Sequence, residues 1–357
     1  MVEYLSGNRI QGSSTLTTPA PATAWKELAR ATAGSGGSTA LTTSAFTAKD
    51  NIMILYNSFG SDPYMQVGSG GTIDTGTSYA LRYSENGGGD GTNQASYTRW
   101  NVNGGAGATG SEGVFGLTEG VNVASQEKLF ILRSGDNASG TGTGTATGRY
   151  ERAMKWVNTS AQINIVKLFH TSGTLDEGSE IIVLGCDNDE ADSGTVFWQE
   201  LNKTTLTSSA DTLTTGATSA ISKKYLWVRA VLLPTGGNIR TDVRLNNDNG
   251  NNYTRRRSNN GASDSTGTGE SSVDVYGDDN QIKVVEFFII NRANREKIMF
   301  GDIYMRGDEG AGNNTNRTEF SAKWVNTSDL ISRITVNNTG ASGSYNTGSY
   351  IQVWGSD

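Results

Sequence analysis

The sequence predicts an all-β protein: two tandem jelly-roll-like β-sandwich domains, an internal duplication, preceded by an extended N-terminal arm. Three observations predict it: a strand-and-turn composition, many short alternating runs, and five sequence blocks that recur in order. Of the 357 residues, 35% are hydrophobic and 18% charged, with 46 glycines. The charged share is low against a typical ~25%. Ser, Thr, Asn and Gly fill the gap, Thr suiting pleated strands and Asn and Gly suiting turns. Seven Trp, thirteen Tyr and ten Phe beside a net charge of only −7 exclude a disordered body. At roughly 100–200 residues per domain the length predicts two domains.

The repeat sets the boundaries. Trp25-Lys26-Glu27-Leu28 recurs as Trp198-Gln199-Glu200-Leu201, an offset of 173 residues. Tyr79, Arg82, Ser84, Asn86, Gly87 and Asp90 recur as Tyr253, Arg256, Ser258, Asn260, Gly261 and Asp264, all at an offset of 174. Asn122, Ala124, Glu127 and Lys128 recur as Asn291, Ala293, Glu296 and Lys297 at 169, and Lys155 to Ser160 recurs unchanged as Lys323 to Ser328 at 168. Gly178, Ser179, Ile181, Val183 and Gly185 recur at 170. Small loop insertions explain the drift, and the period is too long for a solenoid. The reading is an arm over 1–24, one copy over 25–186, an acidic linker over 187–192 and a second copy over 193–357.

Element by element, the second copy is the clearer. The run 224–233 ends at Pro234-Thr235-Gly236-Gly237, and 238–246 alternates through Ile239, Thr241, Val243 and Leu245. Strands follow over 252–257, 271–276 and 281–291, the last apolar enough to be central, then over 297–306, 319–325, 330–336 and 350–354. Only 24–31, with Trp25, Leu28 and Ala29 at helical spacing, suggests a helical turn. Trp25, Trp156, Trp198 and Trp324 are the expected core anchors.

Chemistry is sparse. His170 and Cys186 are single, so no metal cluster, Cys-His pair or internal disulfide is available. Paired acids for a glycosidase are formally present in Glu127, Glu151, Glu296 and Glu319, but their repeated Lys and Arg neighbours favour ion pairs. The expectation is no enzyme and no cofactor. Asp187, Asp189 and Asp248 offer oxygen ligands to calcium without the EF-hand spacing. Tyr64, Tyr79 and Trp100, near Gly-rich loops, are candidate sugar-stacking rings. The acidic balance argues against nucleic acid as a partner. Apolar runs are too short for a membrane span, and the first residues lack a signal peptide's pattern.

Three stretches carry a family resemblance: Glu3-Tyr4-Leu5-Ser6-Gly7-Asn8-Arg9-Ile10-Gln11-Gly12, Lys155–Ser160 with Gly178 to Gly185, and Arg244 to Tyr253. Together they resemble structural proteins of environmental tailed phages and archaeal viruses. The resemblance spans nearly the whole chain and implies a virion component, whether capsid, capsid decoration or tail, made in the host cytoplasm. It supplies no catalytic residues. The expected partners are other copies of the chain, a trimer making a pseudo-hexamer, and other virion proteins. Tyr4, Leu5, Arg9 and Ile10 would dock the arm on a neighbour. The alternatives are a carbohydrate-binding host-recognition module and an extracellular filament or surface-layer subunit.

Overall fold

The computed structural model describes residues 4–5, 8–9, 25–60, 62–103, 113–137, 140–187, 195–307, 310–340 and 342–357. The chain divides into two compact units, Met1–Gly140 with Tyr150–Trp198, and Thr141–Arg149 with Gln199–Asp357. Among the described residues every regular element is a strand except one short 3-10 turn, Ser219–Ile221.

Unit 1 begins with a hairpin of β1 (Tyr4–Leu5) and β2 (Asn8–Arg9). The side chains of Tyr4, Leu5 and Arg9, and all of Ile10, lie outside the described residues. The body comprises β3 (Lys26–Thr32), β4 (Ala40–Thr42), β5 (Asn51–Ser58), β6 (Tyr64–Ser69), β7 (Thr72–Ile73), β8 (Tyr79–Glu85) and β9 (Gly91–Tyr97). It continues with β10 (Trp100–Asn101), β11 (Val114–Val121), β12 (Lys128–Asp136), β13 (Gly148–Trp156), β14 (Ile165–Phe169) and β15 (Glu180–Cys186). A long sheet runs β3-β15-β5-β11-β12-β13-β8-β9 and a short one β10-β6-β14-β4, with β7 against β6.

Unit 2 comprises β16 (Gln199–Thr205), β17 (Thr212–Thr214), β18 (Tyr225–Leu232), β19 (Ile239–Leu245), β20 (Tyr253–Asn259) and β21 (Ser265–Glu270). Then come β22 (Val273–Asp279), β23 (Lys283–Ile290), β24 (Lys297–Met305), β25 (Asn316–Trp324), β26 (Ile334–Asn338) and β27 (Tyr350–Ser356). Its long sheet is β16-β27-β18-β23-β24-β25-β20-β21 and its short sheet β17-β26-β19-β22. Matched in chain order with β7 set aside, the two units have the same strand order in both sheets. The duplication read from sequence blocks is thus a duplication of topology.

Alternation builds each core. Val285, Phe287 and Ile289 of β23 turn inward to meet Ile239 and Val243 of β19 in unit 2. Ile52, Ile54 and Tyr56 of β5 do the same with Met65 and Val67 in unit 1. Trp25, Trp156, Trp198 and Trp324 are all buried.

The helical turn expected over 24–31 is instead the edge strand β3. Its spacing is that of a β-bulge. Val183 pairs with Ala29 and Leu184 with Glu27, so Leu28 is an extra residue folded against the core. Leu201 is the extra residue in β16, between Glu200 opposite Trp354 and Asn202 opposite Val353. An inserted residue breaks the period of two and imitates a helical one.

The repeated polar residues hold the loops in both units. Tyr79 Oη donates to the carbonyls of Val67 and Asp74, and Tyr253 Oη to those of Leu245 and Asp248. Asn122 Oδ1 accepts from Ile163 N at 2.7 Å, as Asn291 Oδ1 does from Ile331 N at 2.8 Å. The buried Lys128 Nζ donates to three carbonyls, of Ala124, Gln126 and Asn158, and lies 5.6 Å from the Trp156 ring centre. Lys297 Nζ donates to Asn326 O and lies 5.6 Å from the Trp324 ring. Burial pushes both amines down, that of Lys297 to about 8.

Candidate functional site

The acids proposed for calcium are occupied by protein donors. Asp187 accepts from Lys49 Nζ at 2.7 Å and from Asp50 N at 3.0 Å. Asp248 accepts from Gly250 N, Asn252 Nδ2 and Trp324 Nε1 at 2.7–2.8 Å. Burial would raise the Asp248 carboxyl, but these three donors outweigh it and hold it below the usual range. Asp74 receives Gly76 N and Trp156 Nε1 in the matching turn of unit 1. Asp189 lies outside the described residues. Among the described residues no group of three or more His, Cys, Asp or Glu is placed to hold a metal.

The sugar-stacking candidates divide. Tyr79 and Trp100 are 1% and 0% exposed and pack edge to face at 5.3 Å, so neither ring has a face for a sugar. Tyr64 is half-buried, with the Arg99 guanidinium 4.2 Å from its ring centre. The Asn86-Gly87 and Asn260-Gly261 motifs form the β8–β9 and β20–β21 hairpin turns, where Asn φ is 52° and 51° and Gly φ is 72° and 74°. Two successive positive φ angles are the type I′ requirement. Three of the four repeated acids form ion pairs, Glu127 with Lys155 at 3.0 Å, Glu296 with Lys323 at 3.2 Å and Glu319 with Arg317 at 2.7 Å; the adjacent Lys128 and Lys297 donate to backbone carbonyls instead. His170 Nδ1 accepts from Ser172 N and Gly173 N, and Cys186 is buried.

Two features of unit 1 set its described residues apart from the matching positions of unit 2. The first is on the outer face of its long sheet. Leu129, Ile131 and Val121 are 61%, 57% and 51% exposed. Ile131 stands opposite Glu119 across the β11–β12 ladder, which sets Leu129 opposite Val121, so the three side chains share one patch. Strands exposing one face normally carry polar residues there. At the offset of 169 the second copy has Ile290, Ile298 and Phe300, only 4%, 2% and 2% exposed. There Phe300 stacks on Phe288 at 5.9 Å, and Phe288 on Trp227 at 5.7 Å.

The second feature is a buried polar cluster at one end of the inner face. Tyr56, Ser134, Asp136, Tyr150, Arg152, Tyr83 and Glu85 reach it from β5, β12, β13 and β8; Asn103 and Asp62 come from loops. Asn103 Nδ2 donates to Asp62 Oδ1 at 2.7 Å and to Asp136 Oδ2 at 3.1 Å. Tyr150 Oη donates to Asp136 Oδ2 at 2.8 Å, and Tyr56 Oη to Val102 O at 2.6 Å. Arg152 Nη2 donates to Glu85 Oε1 and Asn103 O, both at 2.7 Å, and its guanidinium lies 5.4 and 5.7 Å from the Tyr150 and Tyr83 ring centres. Burial, helped by the Asp136 charge and opposed by the Asn103 hydrogen bond and Arg152, raises the Asp62 carboxyl to about 7.

The other copy shows that the sandwich does not need this chemistry. Sheet registers pair Tyr150 with Glu85 and Thr318 with Asn259, Arg152 with Tyr83 and Phe320 with Arg257. They also set Val114 opposite Asp136 in unit 1 and Lys283 opposite Met305 in unit 2. The unit 2 counterparts of Tyr56, Ser134, Asp136 and Arg152 are therefore Ala230, Ile303, Met305 and Phe320, all in its hydrophobic core. Room for the Tyr56 ring comes from Gly116, where an added Cβ would lie 2.2 Å from the ring. The second copy has Val285 beside Ala230 instead, trading volume between the strands.

No family model matches the chain, and no curated protein matches it. Among solved structures the chain is similar to the mouse laminin alpha1 chain, domains LG4-5, at 12% identity over 96% of this chain and 92% of that one, with a TM-score of 0.19. A likeness that weak carries no argument about function.

Proposed function

We propose that the chain is a non-enzymatic virion structural protein, a capsid, capsid-decoration or tail component that assembles with copies of itself through its sandwich surfaces. The observation that carries this reading is the Val121–Leu129–Ile131 patch. Apolar side chains left this exposed on a regular sheet face mark an interaction surface. The same face of the second copy, built on the same strand order, is apolar and buried. The repeated acids and amides are spent on ion pairs and loop hydrogen bonds, which suits a protein whose work is mechanical.

The test is light scattering on the full chain, on Ile131→Asp and on a version lacking residues 1–24. Finishing the burial of one such side chain is worth about 1–2 kcal/mol, roughly tenfold in association constant. The full chain should assemble and Ile131→Asp should assemble at least that much more weakly. Equal assembly by both would refute the role of the face; loss only on removing 1–24 would transfer it to the arm.

A further inference from the structure

The connections β12–β13 and β24–β25 carry one pattern. Gly142-x-Gly144-x-x-Thr147-x-Arg149 recurs as Gly310-x-Gly312-x-x-Thr315-x-Arg317, an offset of 168 at all four positions. Gly142 and Gly310 both take positive φ, 77° and 93°. The first of these two straps is engaged: Thr141–Arg149 belongs to unit 2. There Arg149 Nη2 donates to Asp264 Oδ1 at 2.7 Å and Nη1 to Glu319 Oε2 at 3.4 Å. Thr147 O accepts from Arg256 Nε at 2.7 Å, and Gly142 N donates to Glu296 Oε1. Arg256 stands in one cross-strand row with Ser321 and Phe300, so the strap is anchored on the outer face of the long sheet. The Arg149 and Asp264 side chains are only 6% and 2% exposed. A charge-assisted bond shielded in this way is a strong one.

All four anchors of the strap are repeated residues. Asp264, Glu319, Arg256 and Glu296 correspond to Asp90, Glu151, Arg82 and Glu127 of unit 1. The acceptor is preformed in both units, for Arg82 lies 3.2 Å from Asp90 as Arg256 lies 3.8 Å from Asp264. In unit 1, however, Asp90, Arg82 and Glu127 are 56%, 61% and 44% exposed, beside the exposed Leu129 and Ile131. The second strap is exposed as well: Gly310, Gly312 and Thr315 face solvent, and Arg317 is 58% exposed. Each chain therefore shows one open acceptor, on unit 1, and one open strap, on unit 2.

We infer that the outer face of unit 1 takes the strap 310–317 of a second copy of the chain, as unit 2 takes Thr141–Arg149. Arg317 of the incoming copy donates to Asp90 and Glu151, and its strap covers Leu129 and Ile131. The inference rests on the reading that this face assembles, and it names what covers the face. Strap and acceptor are different surfaces, so the contact is heterologous. Copies join head to tail, closing into a ring or growing into a filament.

The experiment is sedimentation velocity on the wild type, on Arg317→Ala, on Asp90→Ala and on an equal mixture of the two variants. Both side chains are more than half exposed in the single chain, and unchanged thermal melts confirm that the variants fold. Truncating one partner of a charge pair buried on association should weaken assembly about thirtyfold, ~2 kcal/mol. Where each variant alone is a monomer, the mixture should form a discrete dimer. Asp90→Ala retains an intact strap and Arg317→Ala an intact acceptor. Assembly of Arg317→Ala at wild-type strength overturns the inference, as does a mixture that stays monomeric. If Ile131→Asp abolishes assembly while Arg317→Ala leaves it intact, the patch keeps its role and the strap loses its own. A wild-type chain that never assembles removes both.

Discussion

Asp62→Asn should make the stability of unit 1 less dependent on pH, in a direction fixed by the polar cluster around Asn103 and Arg152. The carboxyl sits in a half-buried place beside Asp136, and the Asn103 and Arg152 contacts only partly compensate, so its pKa rises from 3.8 to about 7. A folded-state pKa above the unfolded value means that folding takes up a proton between those limits. Stability is then full below about pH 4 and is lost as pH rises through 7. About three pH units correspond to a ceiling of ~4 kcal/mol, and screening at a rim position reduces this to roughly 2 kcal/mol. Asparagine is neutral throughout and nearly isosteric. The variant should match the wild type at pH 4 and exceed it by roughly 2 kcal/mol at pH 8, about 4–8 °C in Tm for a unit of this size. Urea unfolding at both pH values, followed by tryptophan fluorescence, measures it. Equal shifts at the two pH values, or a less stable variant at pH 8, would refute the assignment of the strained proton to Asp62.

Gly116→Val drives a methyl group into the Tyr56 ring and should cost about 1–3 kcal/mol by overpacking. Adding Tyr56→Ala recreates the Val285–Ala230 pair of unit 2 and should restore most of that loss in thermal melts; failure to do so breaks the volume-exchange argument. Lys297, held down to about 8 by burial, has its proton removed earlier in the folded than in the unfolded chain. The stability of unit 2 should therefore climb between about pH 8 and pH 10, where the unfolded lysine still binds a proton. Lys297→Met should abolish that climb, and a flat wild-type profile would contradict the assignment.

The fold class was legible because the core strands alternate and because five blocks repeat. The strands it passed over, Gln199–Thr205, Thr212–Thr214 and Ser265–Glu270, are polar apart from a single leucine in each of the first two, Leu201 and Leu213. Each lies at the end of its sheet's strand order or beside a single partner. An edge strand that buries little has no period to read. The repeated residues attracted chemical readings and proved to be turn-formers and loop ties, as at Asn86, Asp248 and Lys128. The polar cluster of unit 1 lies where the copies differ. Its residues come from six stretches of chain, and no single stretch carries a motif. The available signal was the pairwise contrast of polar against apolar at matched positions: Arg152 with Phe320, Asp136 with Met305, Tyr56 with Ala230. The bulge at Leu28 misled because an inserted residue resets the strand period.

The central claim is that the outer face of β11 and β12 is covered when the protein assembles. Ile131→Cys tests it directly through the rate of maleimide labelling in dilute and in concentrated, assembled protein. The native Cys186 is buried and serves as an unreactive blank in the same chain. The account predicts fast labelling at position 131 in the dilute chain and strong protection in the assembly. Labelling at the same rate in both states, with assembly confirmed by light scattering, would contradict it.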